Sequence, residues 1–253
     1  MRFISWIGPT RVPIAVVAQS SATLPESPTP ATGKAAVDQL IPWLLDENQQ
    51  LRVVPFSEVI FDTTRKRVLL FDAKNAVDQR VAKAISAACH ETMKRLNAPN
   101  SAIQHVDRIN EVSSHFEASL RELLNATPDL RCDFPLTAEG KLQRFGYPDL
   151  RIADVESKRV FYLDPKLYAA GSRDSSFRAF YFEPKKATNK VREDAVYLVV
   201  GFEHQSREQN GQWKFTRWDV VDLSRLTVKL KAEFQGSNRD MYRPEAIVAS
   251  SAK

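Results

Sequence analysis

Two strand-like segments, YPDLRIADV ending at Val155 and RVFYLDPKLY beginning at Arg159, follow one another with only Glu156, Ser157 and Lys158 to turn the chain. A connection that short suits an antiparallel hairpin. If the hairpin forms, the two strands lie side by side. Side chains alternate faces along a strand, so Asp164 and Lys166 share one face and Pro165 takes the other. Counting outward from a turn centred near Ser157 sets position 149 opposite roughly 165. A bulge or a turn offset of one residue then brings Asp149 against Asp164.

The segments around the hairpin extend this constraint. AVYLVVGFEH, ending at His204, is the most apolar strand-like run and reads as the centre of a sheet. Upstream, Val106–Asn125 reads as a helix with Ile109, Val112, Phe116, Leu120 and Leu123 along one stripe, ended by Thr127-Pro128. LRCDFPLT supplies a further strand before the hairpin. The aromatic run FRAFYFEP reads as core rather than as a surface on which bases stack, and the polar KKATNKVRED after it has room for a short helix. The order from Val106 to His204 is thus helix, three strands, a mixed crossover holding a helix, and strand. That is an α/β core. WKFTRWDVVDL and TVKLKAEF add strands beyond it.

The N-terminal part reads differently. Ala35–Leu45 is a short helix disturbed by Pro42, RVVPFSEVIFD and RKRVLLFD read as two strands about a turn at Asp62–Thr64, and Asn75–Leu96 is a helix stopped by the turn Asn97–Asn100. At the start, MRFISWIGPTRVPIAVVAQSSA carries a short apolar stretch, Val12–Ala18, broken by Pro13. That is the bottom of the range for a secretory signal, so a cytoplasmic protein is expected, with export as the alternative. Leu24–Gly33 is a Pro/Ser/Thr linker expected to be extended or disordered. The expected organisation is a leader and linker over residues 1–33, an accessory α/β region over 34–100, and a core with C-terminal strands over 101–253. No apolar run reaches the roughly 18–20 residues that span a bilayer, so no membrane span is expected.

Charge is unevenly placed. From Lys141 onward there are 21 Lys and Arg against 15 Asp and Glu, whereas the chain as a whole is at +5. A basic half suits a polyanion such as DNA, because phosphate neutralisation and counterion release supply affinity. A soluble protein with an uneven surface gives the same count. Cysteine and zinc chemistry find little support: Cys89 and Cys132 form no CxxC, no Cys/His cluster has zinc spacing, and HETMK lacks the second His of a zinc-binding helix.

The hairpin carries the chemistry. Two carboxylates a few ångströms apart repel unless a cation intervenes. A hard divalent ion such as Mg²⁺ favours that oxygen environment, and it can lower the pKa of a bound water and neutralise a scissile phosphate. An ammonium two residues on can orient the attacking hydroxide. Acid, acid and base are the least that phosphodiester hydrolysis needs.

The pattern of Pro148-Asp149 in one strand and Asp164-Pro165-Lys166 in the next resembles the PD-(D/E)xK nuclease superfamily. The resemblance covers Val106–His204. It implies a restriction-endonuclease-like core of helix, three-stranded meander, helix and strand, behind an N-terminal accessory subdomain used for target recognition or a dimer contact. It implies that Asp149 and Asp164 hold Mg²⁺, that Lys166 handles the water, and that Glu117, beside Phe116 in HFEASLRELL, assists. The activity implied is Mg²⁺-dependent hydrolysis of DNA, with duplex DNA as partner and a homodimer as the assembly. Two features depart from the pattern. Pro165 cannot donate to a ladder and suits an edge or a strand end, and Glu183-Pro184-Lys185 repeats the same alternation, ranked second because Asp164 follows Asp149 through one tight turn. The alternatives are solvated surface charges, with Glu117 facing Arg121, and a catalytically inactive domain of this fold that binds nucleic acid or a protein partner.

Overall fold

The computed structural model describes residues 33–46, 53–176, 180–205, 207, 211–231, 233 and 235–249; apart from Gly33, the expected leader and linker lie outside them. The chain divides into two compact units, Met1–Gln49 and Gln50–Lys253. In the first, α1 (Gly33–Leu45) continues through Pro42 with none of its side chains fully buried. The second begins with β1 (Val54–Pro55), α2 (Phe56–Thr64), β2 (Val68–Leu69), α3 (Ala76–Leu96) and α4 (Ile109–Asn125). It continues with β3 (Leu130–Asp133), β4 (Leu150–Asp154), β5 (Val160–Ala169), β6 (Ala195–Gln205), β7 (Lys214–Asp222), β8 (Thr227–Val228) and α5 (Asn238–Met241).

One mixed sheet organises this unit, in the order β2-β6-β5-β4-β3, with β7 also paired to β6. β3, β4 and β5 form the expected antiparallel meander. β5 and β6 run parallel, which the long crossover between Ala169 and Ala195 permits. β6 is flanked on both sides, and its burial matches its apolar composition.

Two hydrophobic clusters hold the sheet. On one face, Val81, Ile85 and Cys89 of α3 and Val112, Phe116, Leu120 and Leu124 of α4 pack with Ile152, Phe161, Leu163, Leu198 and Phe202. α3 starts where expected because the Asn75 side chain accepts hydrogen bonds from the Val77 and Asp78 N–H groups. On the other face, Phe56 and Ile60 of α2 meet Tyr147, Tyr162, Ala195 and Tyr197. β5 serves both clusters through its alternation, Phe161 and Leu163 on one side and Val160 and Tyr162 on the other.

Three expectations from the sequence change here. RVVPFSEVIFD is not a strand: after Pro55 the chain becomes α2, with Phe56 and Ile60 buried. A spacing of four suits a helix face and a strand face equally, and packing against Ala195 and Tyr197 decides it. Among its described residues TVKLKAEF supplies only the two of β8, because its partner β1 ends where α2 begins. The second core helix is absent among the described residues 180–194, which form no regular element. Their apolar side chains, Phe180, Phe182 and Val191, go into the α2-side cluster, and KKATNK has no apolar stripe to bury as a helix. The division into compact units falls at Gln49/Gln50, and α3 shares one core with α4 and the sheet. No helix among the described residues is long and apolar enough to cross a membrane.

Candidate active site

Pairing in the β4–β5 hairpin sets the site. Leu150 lies opposite Leu163, Arg151 opposite Tyr162, Ile152 opposite Phe161 and Ala153 opposite Val160. One step further brings Asp149 opposite Asp164. The offset of one residue needed by the count from Ser157 is made in the turn. Asp154 N–H donates to Arg159 O and Lys158 N–H to Asp154 O, both at 3.0 Å, while Lys158 takes a left-handed φ of 59°. Fully buried Asp154 fastens this turn: its Oδ1 accepts from the backbone N–H and the hydroxyl of Ser157, each at 2.8 Å, and its Oδ2 pairs with Arg80.

Pro165 fits this arrangement. It lies within β5, in register with Val200 of β6, while β4 begins at Leu150, opposite Leu163, so on the β4 side the paired ladder stops short of Pro165. The Tyr147–Pro148 peptide preceding Asp149 is cis. Tyr147 stacks on Tyr197 with ring centroids 5.7 Å apart and meets Phe56 and Phe180 edge-on, so aromatic core lies next to the acidic strand end. Within the aromatic run, Phe180 and Phe182 are part of that core.

The structure brings the four first-ranked residues together. Asp164 is 1% exposed, and its Oδ2 lies 2.6 Å from Lys166 Nζ, though off the direction of a proper hydrogen bond. The Asp149 carboxyl is pushed up from 3.8 to about 8, first by burial, then by the charge of Asp164, a hydrogen bond to it, and the charge of Glu117. Two buried carboxylates this close repel, which favours a proton or a cation between them. Glu117 is buried on α4, which raises its carboxyl in spite of Arg144, whose Nη2 lies 2.6 Å from Oε2. Arg144 itself rests over the Phe134 ring at 4.4 Å. Burial lowers the affinity of Lys166 for its proton, but Asp164 and Asp149 outweigh it and the net shift is upward.

Two cations at this site were not among the expected residues. Arg144 has just been placed. The other is Lys190, 2% exposed, with Nζ 3.7 Å from Asp149 Oδ1 and 3.4 Å from the carbonyl of Gln143. Burial lowers its pKa, against the pull of Asp149, Asp164 and Glu117. Nothing in the run KKATNKVRED separates Lys190 from its solvated neighbours; the crossover turns it inward beside Val191, which is buried in the aromatic cluster. The second-ranked pair lies apart from this constellation in role: Glu183 and Lys185 are exposed, bonded to each other at 2.8 Å, and belong to no strand.

Asp149 and Asp164 offer two carboxylates to an ion, a donor set suited to a hard cation that retains most of its waters. Among the described residues no group of three or more His, Cys, Asp and Glu side chains could hold a metal. Glu117 is drawn to Arg144 instead.

Fold and site define a mixed α/β protein, compatible with an α/β nuclease fold, that carries buried paired acids and a lysine at a strand end. The model of the type II restriction enzyme MjaV family matches residues 49–245, and the chain belongs to that family. It is similar to the type II restriction enzyme MjaV of Methanocaldococcus jannaschii, 27% identical over 210 residues that make up 79% of this chain and 90% of that one. No solved structure matches the chain. The family match includes every residue of the site and begins at the boundary of the second compact unit.

Proposed function

We propose that this chain is a Mg²⁺-dependent endonuclease of the PD-(D/E)xK kind that hydrolyses phosphodiester bonds of duplex DNA. The observation that carries the reading is Asp149 set across the ladder from Asp164, with Lys166 Nζ 2.6 Å from the latter. Family membership and the similarity to a type II restriction enzyme support it.

Asp149 and Asp164 would hold Mg²⁺, which supplies charge neutralisation for the scissile phosphate and a more acidic water. Lys166, kept charged by the two acids, orients the attacking water with its Nζ. The attack displaces the deoxyribose oxygen on the far side of phosphorus. Glu117 assists from α4, held in place by Arg144. Aromatic core beside the acids keeps them in a medium of low polarity, where a charged lysine acts more strongly than in water. Because each chain carries one such centre, cutting both strands suits a homodimer.

The test is a cleavage assay on duplex DNA with and without Mg²⁺, run alongside Lys166→Ala. We expect cutting only with the ion, loss of cutting in the variant, and retained ion binding, because Lys166 serves the water. A protein indifferent to Mg²⁺ in cleavage and in stability defeats the reading. Retained DNA binding with no cleavage under any divalent ion would favour an inactive domain of this fold.

A further inference from the structure

Resting on the reading above, we propose that Lys190 is the built-in counter-cation of this site and that it limits the site to a single divalent ion per chain. The position of the side chain carries the argument. A lysine with only 2% of its surface exposed is rare unless paired, and among the described residues Nζ meets Gln143 O at 3.4 Å and Asp149 Oδ1 at 3.7 Å. An ammonium has three donors. Burial turns this ammonium away from solvent and toward the Asp149 carboxylate and the Gln143 carbonyl.

The charges around it explain the arrangement. Asp149, Asp164 and Glu117 face Lys166, Lys190 and Arg144, and these six groups cancel when all are ionised. One divalent ion arriving with a phosphate monoanion and a hydroxide adds no net charge to this set. A second ion would leave two positive charges uncompensated in a buried place, where such charge is costly. It would also lack ligands: Arg144 occupies Glu117, Lys190 faces the Asp149 oxygen that would otherwise turn to a second ion, and among the described residues no third acid joins the pair. Lys190 is thus a positioning residue, acting through Asp149, in the place of a second metal.

The experiment is calorimetric titration of the full chain with Mn²⁺ and with Ca²⁺ in the absence of DNA, for wild type, Lys190→Met and Lys190→Arg. Wild type and Lys190→Arg should take one ion. Lys190→Met should bind the first ion about tenfold or more tightly, since a like charge a few ångströms away is gone, or should admit a second ion, while its cleavage falls. Two ions on wild type overturn the proposal, and so does a folded Lys190→Met with wild-type count and affinity. Should Lys190→Met fail to fold, wild-type stoichiometry and Lys190→Gln decide in the same way. A wild type that binds no divalent ion overturns this proposal together with the metal-site reading, whereas one ion with indifference to position 190 overturns this proposal alone.

Discussion

Asp149 faces Asp164 one position beyond the last β4–β5 pair, close enough for a hydrogen bond once one of them carries a proton. Two acids in a buried place are unfavourable in a resting protein unless a proton or a cation sits between them. The lysines and Arg144 soften that cost without removing it. The pair is therefore prepared for a small hard cation, and its titration and its response to substitution should show this.

Asp164→Asn should abolish cleavage with little effect on the metal-free fold. Relief of repulsion with Asp149 and loss of the Lys166 pair act in opposite directions, so unfolding stability should move by less than about 1 kcal/mol. With Mg²⁺ at saturating concentration, wild type should become the more stable, because only it gains the binding free energy. Thermal unfolding of both proteins with and without the ion checks this. A variant that loses stability heavily without metal would mean that Asp164 is structural.

The pH dependence follows from Asp149. Its carboxyl is raised from 3.8 to about 8, so between those values the folded chain holds more protons than the unfolded one. Stability of the metal-free protein should therefore fall as pH rises from about 4 to about 8, and Asp149→Asn should flatten that part of the curve. Over the same window, affinity for a divalent ion should rise, because the ion must displace the proton. Urea titrations across pH, paired with Mn²⁺ binding at each pH, test both signs.

Asp154→Ala should damage the turn that sets the register. It removes the oxygen that accepts two hydrogen bonds from Ser157 and leaves Arg80 without its buried partner, at a cost of about 2–3 kcal/mol. Burial works against the Asp154 charge, but Arg80 and Ser157 prevail and hold its carboxyl below the usual range. That stabilisation is present above the ordinary carboxylate pKa and lost as pH falls below it. The variant should thus be destabilised at pH 7 and differ less from wild type near pH 3. A urea midpoint unchanged at pH 7 would show that the turn holds without Asp154.

DNA binding should weaken steeply with salt. If about four to six phosphates are neutralised by the basic half of the chain, affinity should drop by two or more orders of magnitude from about 50 to 200 mM salt. Anisotropy titrations with Ca²⁺ in place of Mg²⁺ measure this. A flat response would point to a partner other than nucleic acid.

What the sequence determined on its own was local. A short turn signal pointed to the β4–β5 hairpin, period two put Asp164 and Lys166 on one face, and period 3.6 marked α3 and α4. These are properties of neighbouring residues, so they can be read without knowing what lies opposite. Tertiary structure decided the rest. α2 is a helix because Phe56 and Ile60 found Ala195 and Tyr197 to pack on, and the crossover has no helix among its described residues because its aromatic side chains were needed in that same cluster. Arg144 and Lys190 are invisible in one dimension, since a buried lysine and a solvated one have the same neighbours in sequence. Only the folding of two irregular segments against the strand ends turned these cations toward Glu117 and Asp149, where long-range charge, and not local propensity, fixes their role.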